Sequence, residues 1–308
     1  MIATIENLTV TYGDFTAVSD LSLSIREGDI YGFIGPNGAG KTTTIRVMAT
    51  LLTPAAGKVT IDGVDIISQP EKAKPLLGYM PDFFGVYDNL KVWEYLDFFA
   101  RAYDVDPRAI PAKINDALTL TRLEHKRDSY VEDLSRGMKQ RLCLAKTLIH
   151  DPVLLILDEP ASGLDPNARR EIRDLLKLLS RQNKTIFISS HILVELADVC
   201  NRVGIIELGK LVGEGSIDEM AKRLQPTRAL RIRSRRPDKA QKAVEAMPGA
   251  EFLKSESGEL LVGIEDSDDA AERVIKALVA ADAGIVSVSE EKPDLEDIFK
   301  DLTKGMVI

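Results

Sequence analysis

The sequence predicts an α/β fold, a parallel sheet flanked by helices, followed by a small α+β domain. Three observations predict it. Val153 to Leu157 and Thr185 to Ser189 are short, continuous, β-branched or apolar runs, the pattern of strands buried on both faces. A further strand, Asp29 to Ile34, runs into a glycine-rich loop and then a helix, the connection that parallel sheets require. Beyond residue 226 the pattern changes to strand, helix, strand, strand, helix, strand, which fits a ferredoxin-like domain.

Taken in order, residues Ile2 to Thr11 and Ala17 to Ile25 alternate apolar and polar, so each reads as a strand with one buried face, parted by the turn at Gly13-Asp14. The helix after the glycine loop starts near Lys41 and continues to about Thr50. Residues 82 to 150 change character: Trp93 to Phe99 and Ile110 to Leu123 carry helical periodicity, and the segment reads as a helical insert in the α/β core. Gly213, Gly215, Ser216 and Pro226 cluster at a boundary, giving domains of 1–220 and 225–308. The second domain reads as a strand (Arg228 to Arg233), a helix (Asp238 to Met247) and two strands (Glu251 to Lys254, Glu259 to Ile264). A helix (Ala270 to Ala281), a strand (Gly284 to Ser289) and an acidic terminal helix (Leu295 to Leu302) follow. Arg231, Arg233 and Arg235 fall on one strand face and read as solvated or paired within the domain.

Composition excludes several function classes. No apolar run approaches the roughly 20 residues of a membrane-spanning helix, and the N-terminus lacks the basic and apolar regions of a secretory signal. Two cysteines, Cys143 and Cys200, are too few for a disulfide framework or a closed zinc site. A net charge of −8 argues against a nucleic-acid partner held by bulk charge.

Gly35-Pro36-Asn37-Gly38-Ala39-Gly40-Lys41-Thr42, followed by Thr43, satisfies the phosphate-loop pattern in its required strand-to-helix context. Glycines let backbone N–H groups turn inward around phosphates, and the helix that follows adds its positive end. Lys41 would reach the β- and γ-phosphates of ATP, and the Thr42 hydroxyl would ligate Mg²⁺. Val153 to Leu157 then delivers Asp158 and Glu159 at the C-terminal end of a strand, where parallel sheets bind ligands. Asp158 would hold Mg²⁺ and Glu159 would orient or deprotonate the attacking water.

Between these halves lies Leu134-Ser135-Arg136-Gly137-Met138-Lys139-Gln140-Arg141, and here the sequence resembles the ABC ATPase family. Leu134, Ser135 and Gly137 match the family signature, while Arg136 stands where the family usually has Gly and Met138 where it has Gln. The resemblance implies a P-loop NTPase core of ABC type with a helical subdomain. It also implies that Ser135 and Gly137 contact the γ-phosphate held by a second copy in a head-to-tail dimer. Ser162-Gly163-Leu164-Asp165-Pro166 resembles the loop that couples the two sites, with Asp165 as its polar contact. His191 resembles the switch histidine at the γ-phosphate, and Tyr12 the aromatic residue stacked on adenine. After Gly78-Tyr79-Met80-Pro81 the family normally places a glutamine; this chain has Asp82, a carboxylate that can still meet Mg²⁺ through oxygen but adds a charge.

The departures at 82, 136 and 138 resemble the exporter branch of the family. The implied working form is a peripheral protein on the cytoplasmic face of the membrane. It would drive export through a separate integral membrane permease at the cost of MgATP, with coupling through residues 82–96. A repair or translation ATPase would carry a long coiled-coil insert or a second nucleotide domain, and this chain has neither. Residues 225–308 resemble the accessory domain of some export ATPases, including the ending Pro293 to Phe299.

Overall fold

The structure is a computed structural model that describes residues 1–83, 85–191, 196, 199–216, 219–220, 227–256, 259–265 and 267–291. The chain divides into two compact units, one of residues 1–216 and a second formed by the chain beyond Ser216.

In the first unit, β1 (Ala3–Tyr12) and β2 (Phe15–Ile25) form an antiparallel hairpin. Their alternation is interrupted: Ala3 and Ile5 are buried, then Leu8 and Val10. A register shift between Ile5 and Leu8, with Asn7 at φ +51°, restores the apolar residues to the same face. β4 (Ala56–Ile61) and the short β5 (Val64–Asp65) extend this sheet in the order β2-β1-β4-β5.

The second sheet has the order β10-β9-β3-β8-β7-β6. β3 (Ile30–Ile34), β6 (Leu77–Met80), β7 (Leu154–Asp158), β8 (Thr185–Ser190) and β9 (Arg202–Glu207) run parallel, and β10 (Lys210–Gly215) returns antiparallel to β9. β3, β7 and β8 are buried along their whole length, which explains why they lack alternation. Helix α1 (Lys41–Met48) follows β3, a single turn α2 (Pro70–Ala73) precedes β6, and α6 (Pro166–Arg181) joins β7 to β8.

Helices α3 (Val92–Ala102), α4 (Ile110–Leu120) and α5 (Arg136–Leu148) occupy the segment between β6 and β7. They have their own core, built on Val92, Tyr95, Leu96, Ile114, Leu118 and Leu142. Among the described residues no helix is long and apolar enough to cross a membrane.

The second unit contains β11 (Thr227–Ser234), α7 (Pro237–Glu245), β12 (Ala250–Glu256), β13 (Glu259–Glu265), α8 (Asp268–Ala280) and β14 (Ile285–Glu291). The strands form an antiparallel sheet in the order β12-β13-β11-β14, the ferredoxin-like arrangement. Leu230, Ile232, Val262, Val244, Val274 and Leu278 fill the space between sheet and helices.

Two sequence readings change here. Gly213 and Gly215 are not linker residues: they lie in β10, an edge strand where missing side chains cost little packing. Arg235 does not continue the face of Arg231 and Arg233. β11 ends at Ser234 after a register shift, and the Arg235 amide donates to the Gly284 carbonyl in a turn. Arg231 itself pairs with Glu259 across the sheet at 3.0 Å. The terminal helix expected at Leu295 to Leu302 lies outside the described residues.

Candidate nucleotide site

The C-terminal ends of β3, β6, β7 and β8 lie along one edge of the central sheet, and the residues just beyond them face an open cleft of about 480 Å³. Tyr12, Asn37, Gly38, Gly40, Lys41, Thr42, Thr43, Asp82, Glu159, Ser162 and His191, all singled out in the sequence, line it, together with Phe15 and Ala17.

The glycine loop is fixed by close contact. A Cβ on Gly35 would sit 2.3 Å from the Ile206 carbonyl oxygen, and Gly40, at φ +106°, would meet the Ala17 carbonyl at 2.8 Å. Only glycine fits both positions. Pro36 and Ala39 complete the loop, the Ala39 amide donating to the Pro36 carbonyl at 3.2 Å. The buried Lys41 ammonium curls back to donate to the carbonyls of Gly35 (2.7 Å) and Pro36 (3.1 Å). Burial depresses its pKa, while the Glu159 and Asp158 carboxylates pull the other way.

Asp158 is 1% exposed. Its Oδ1 accepts from the Ser189 hydroxyl at 2.6 Å, and the Thr42 hydroxyl also bonds it. Burial raises the Asp158 pKa; the Ser189 and Thr42 hydrogen bonds oppose that rise, while the nearby Asp82 and Glu159 charges add to it. Asp82 is raised as well, first by partial burial and then by Glu159, with His191 and Arg136 acting against it. Three acids of like sign therefore crowd one end of the cleft beside the Thr42 hydroxyl, an oxygen donor set that a divalent cation would neutralise. Among the described residues no three His, Cys, Asp or Glu side chains form a ready-made cation cage.

Glu159 stands at φ +48°, a left-handed conformation uncommon outside glycine. Its amide donates to the Ser189 oxygen at 3.0 Å. Its carboxylate accepts from His191 Nδ1 at 2.7 Å and lies 3.7 Å from Lys41 Nζ. His191, the residue after β8, thus meets Glu159, the residue after β7.

Ser135, Gly137 and Asp165 are not among the residues lining this cleft. Ser135 caps α5, its oxygen accepting from the Met138 amide at 3.3 Å. Gly137 packs against α6, where an added Cβ would come 3.0 Å from the Ala168 Cβ. Asp165 caps α6 by accepting from the amides of Asn167 and Ala168 at 2.9 and 3.0 Å. Arg136 reaches the Ser162 carbonyl at 3.4 Å and lies against Gly163, joining the start of α5 to the loop after β7.

Sequence reasoning missed three residues. Phe15 pairs with Tyr12 across the hairpin turn, and both rings are exposed at the cleft; a two-residue turn after Tyr12 was the available signal. Gln140, 2% exposed, donates to the Pro160 carbonyl at 2.6 Å and ties α5 to the end of β7. Ser189 had no signal, because its role depends on which strand lies beside β8.

Comparison with known proteins bears on this geometry. Residues 18–162 match the ABC transporter family, and residues 215–303 match the C-terminal domain of ATP-binding proteins like DrrA1-3. The Nod factor export ATP-binding protein I of Rhizobium etli is 33% identical over 96% of this chain and 92% of its own length. Its counterpart in Rhizobium meliloti is 42% identical over 68% of this chain, a match that spans 62% of that relative. Among solved structures, an ATP-binding subunit of an ABC transporter superposes with a TM-score of 0.66 at 27% identity, covering 73% of this chain and 93% of that one. cbiO1 from Clostridium perfringens, part of the ABC transporter complex cbiONQ, gives 0.64 at 28% identity over 71% and 89%. With a phosphate loop, a strand-end pair of acids and a histidine meeting in one cleft, and with relatives that match along nearly its full length, the chain belongs to the ABC ATPase family, among the ATP-binding subunits of ABC transporters.

Proposed function

We propose that this protein hydrolyses MgATP as a head-to-tail dimer of two copies and thereby drives export through a separate integral membrane permease, docked at the cytoplasmic face. The observation that carries the reading is the placement of Glu159 between Lys41 and His191 inside the cleft, while Ser135 and Gly137 lie outside its lining. One copy holds the acid–base machinery; the signature residues are left to serve another copy.

In this reading Tyr12 stacks on adenine. The loop from Gly35 to Thr43 cradles the phosphates, and Asp165 contacts the partner copy. Thr42, Asp158 and Asp82 would hold Mg²⁺, which supplies charge neutralisation on the phosphates when bound. Lys41 places a cation at the β- and γ-phosphates. Glu159 accepts the proton of the attacking water or orients it, and His191 holds the Glu159 carboxylate at Nδ1. Residues 1–220 form the ATPase domain, with its helical part at about 82–150 meeting the permease, and residues 225–308 form the accessory domain. Export is supported by the relatives named for Nod factor export. A nucleic-acid partner is disfavoured by the net charge of −8.

The test uses Glu159→Gln, which should bind MgATP without turning it over. Light scattering should find a dimer in MgATP and a monomer without nucleotide. Gently solubilised membranes should yield a polytopic protein with the tagged chain. A monomer under saturating MgATP would remove the dimer from the proposal; soluble partners alone would remove the permease.

A further inference from the structure

We infer that Ser189 is a positioning residue that aligns both acids of the site, taking one oxygen of Asp158 and the amide of Glu159 on a single buried hydroxyl. The inference rests on the ATPase reading above and goes beyond it, since neither sequence motif includes Ser189.

β7 and β8 pair in parallel, and Asp158 lies directly opposite Ser189. Ser189 is fully buried, so its hydroxyl finds its partners inside the protein. A backbone N–H can only donate, so at 3.0 Å from the Glu159 nitrogen the Ser189 oxygen is the acceptor. Its own proton is then free for Asp158 Oδ1 at 2.6 Å, a charge-assisted bond to an ionised acceptor. The direction of both bonds follows from this elimination.

Each bond offsets something unfavourable. Asp158 is nearly inaccessible to water and close to two other acids, and the hydroxyl stabilises its charged form. Glu159 is held at φ +48°, a conformation that persists only when its surroundings over-determine it. The Ser189 bond to its amide supplies that restraint and so aims the carboxylate at Lys41 and His191. An alanine at 189 would release both acids at once while leaving the phosphate loop, the adenine face and Lys41 intact. The predicted signature is a loss in turnover with little loss in nucleotide affinity.

The full-length chain is assayed for steady-state hydrolysis, for binding of a fluorescent ATP analogue with and without Mg²⁺, and for the Mg²⁺ concentration at half-maximal rate. Ser189→Ala should lower kcat about 10- to 100-fold with KM changed by less than about threefold. It should raise the Mg²⁺ midpoint, while affinity for the nucleotide analogue in saturating Mg²⁺ stays within about threefold of the unaltered chain. Ser189→Thr, which keeps the hydroxyl, should retain kcat within about threefold. If the alanine chain fails to fold, Ser189→Cys keeps the volume, weakens both bonds and carries the same expectation as alanine. Unchanged kcat in the alanine or cysteine chain overturns the inference, as does a threonine chain as impaired as alanine. If the unaltered chain shows no Lys41-dependent hydrolysis, the ATPase reading fails and this inference with it.

Discussion

Asp158→Asn should make the nucleotide-free protein more stable and the MgATP-bound protein less so. Asn keeps the volume of Asp and an acceptor for the Ser189 hydroxyl, so the change is chiefly one of charge. Burial and the Asp82 and Glu159 charges together outweigh the two hydrogen bonds, raising the Asp158 pKa above its ordinary 3.8; the ionised form is thus less favourable in the folded protein than in the unfolded chain. Removing that charge gains on the order of 1 kcal/mol. For a unit of this size the gain is about 2–4 °C in melting temperature. The pH dependence follows from the sign of the shift. Well above the raised pKa both states are ionised and the cost is complete; as pH falls, the folded carboxyl protonates first and the cost shrinks, vanishing below the ordinary value of 3.8. The advantage of Asn is therefore largest near neutrality and lost in acid.

MgATP should reverse the order. At 100 times its Kd a ligand stabilises by about 2.7 kcal/mol, or roughly 5–10 °C here; the unaltered chain should show this shift, and Asp158→Asn, deprived of an Mg²⁺ ligand, less than half of it. Trp93 is the one tryptophan of the chain and lies in α3, so its emission reports the melting of the first unit. An Asn variant that melts below the unaltered chain without nucleotide at neutral pH would show that the buried charge costs nothing, and one that gains the full MgATP shift would remove Asp158 from the Mg²⁺ ligands.

Two further substitutions test the surroundings of the site. Gln140→Leu strands the Pro160 carbonyl, which now accepts from Gln140 at 2.6 Å in a buried setting, and should cost about 1–3 kcal/mol in a Trp93 melt; a loss under about 0.5 kcal/mol would show that the contact matters little. Phe15→Ala should weaken ATP binding by about three- to tenfold, measured by calorimetry, with kcat at saturation nearly unchanged, because the ring is exposed at the cleft and pairs with Tyr12, the proposed adenine platform. Equal affinity in the two chains would remove Phe15 from the nucleotide face.

Much of the first unit could be read without a structure, for reasons visible in particular residues. The loop from Gly35 to Lys41 is a contiguous motif whose backbone demands are local: Gly38 and Gly40 take positive φ, and the sequence shows them as glycine. Val153 to Leu157 reads as a buried strand because every residue on both of its faces is apolar, and the acids must follow where the strand ends. The order of strands and helices beyond residue 226 is also legible, because each element there carries its own local pattern. β4 and β9 escaped because Gly57 and Gly204 interrupt their short apolar runs, and β10 because its glycines read as linker.

Which distant residues meet depends instead on strand register and packing. Ser189 touches Asp158 and Glu159 because β7 and β8 are neighbours in one register, and a slip of one residue would send its hydroxyl to the other face of the sheet. Gln140 reaches Pro160, and Phe15 comes to line the same cleft as Glu159, through packing between elements set apart in the chain. Motifs follow from the bonding needs of adjacent residues and are written in the chain. Positioning follows from strand register and helix packing, which many residues determine together and no short segment records.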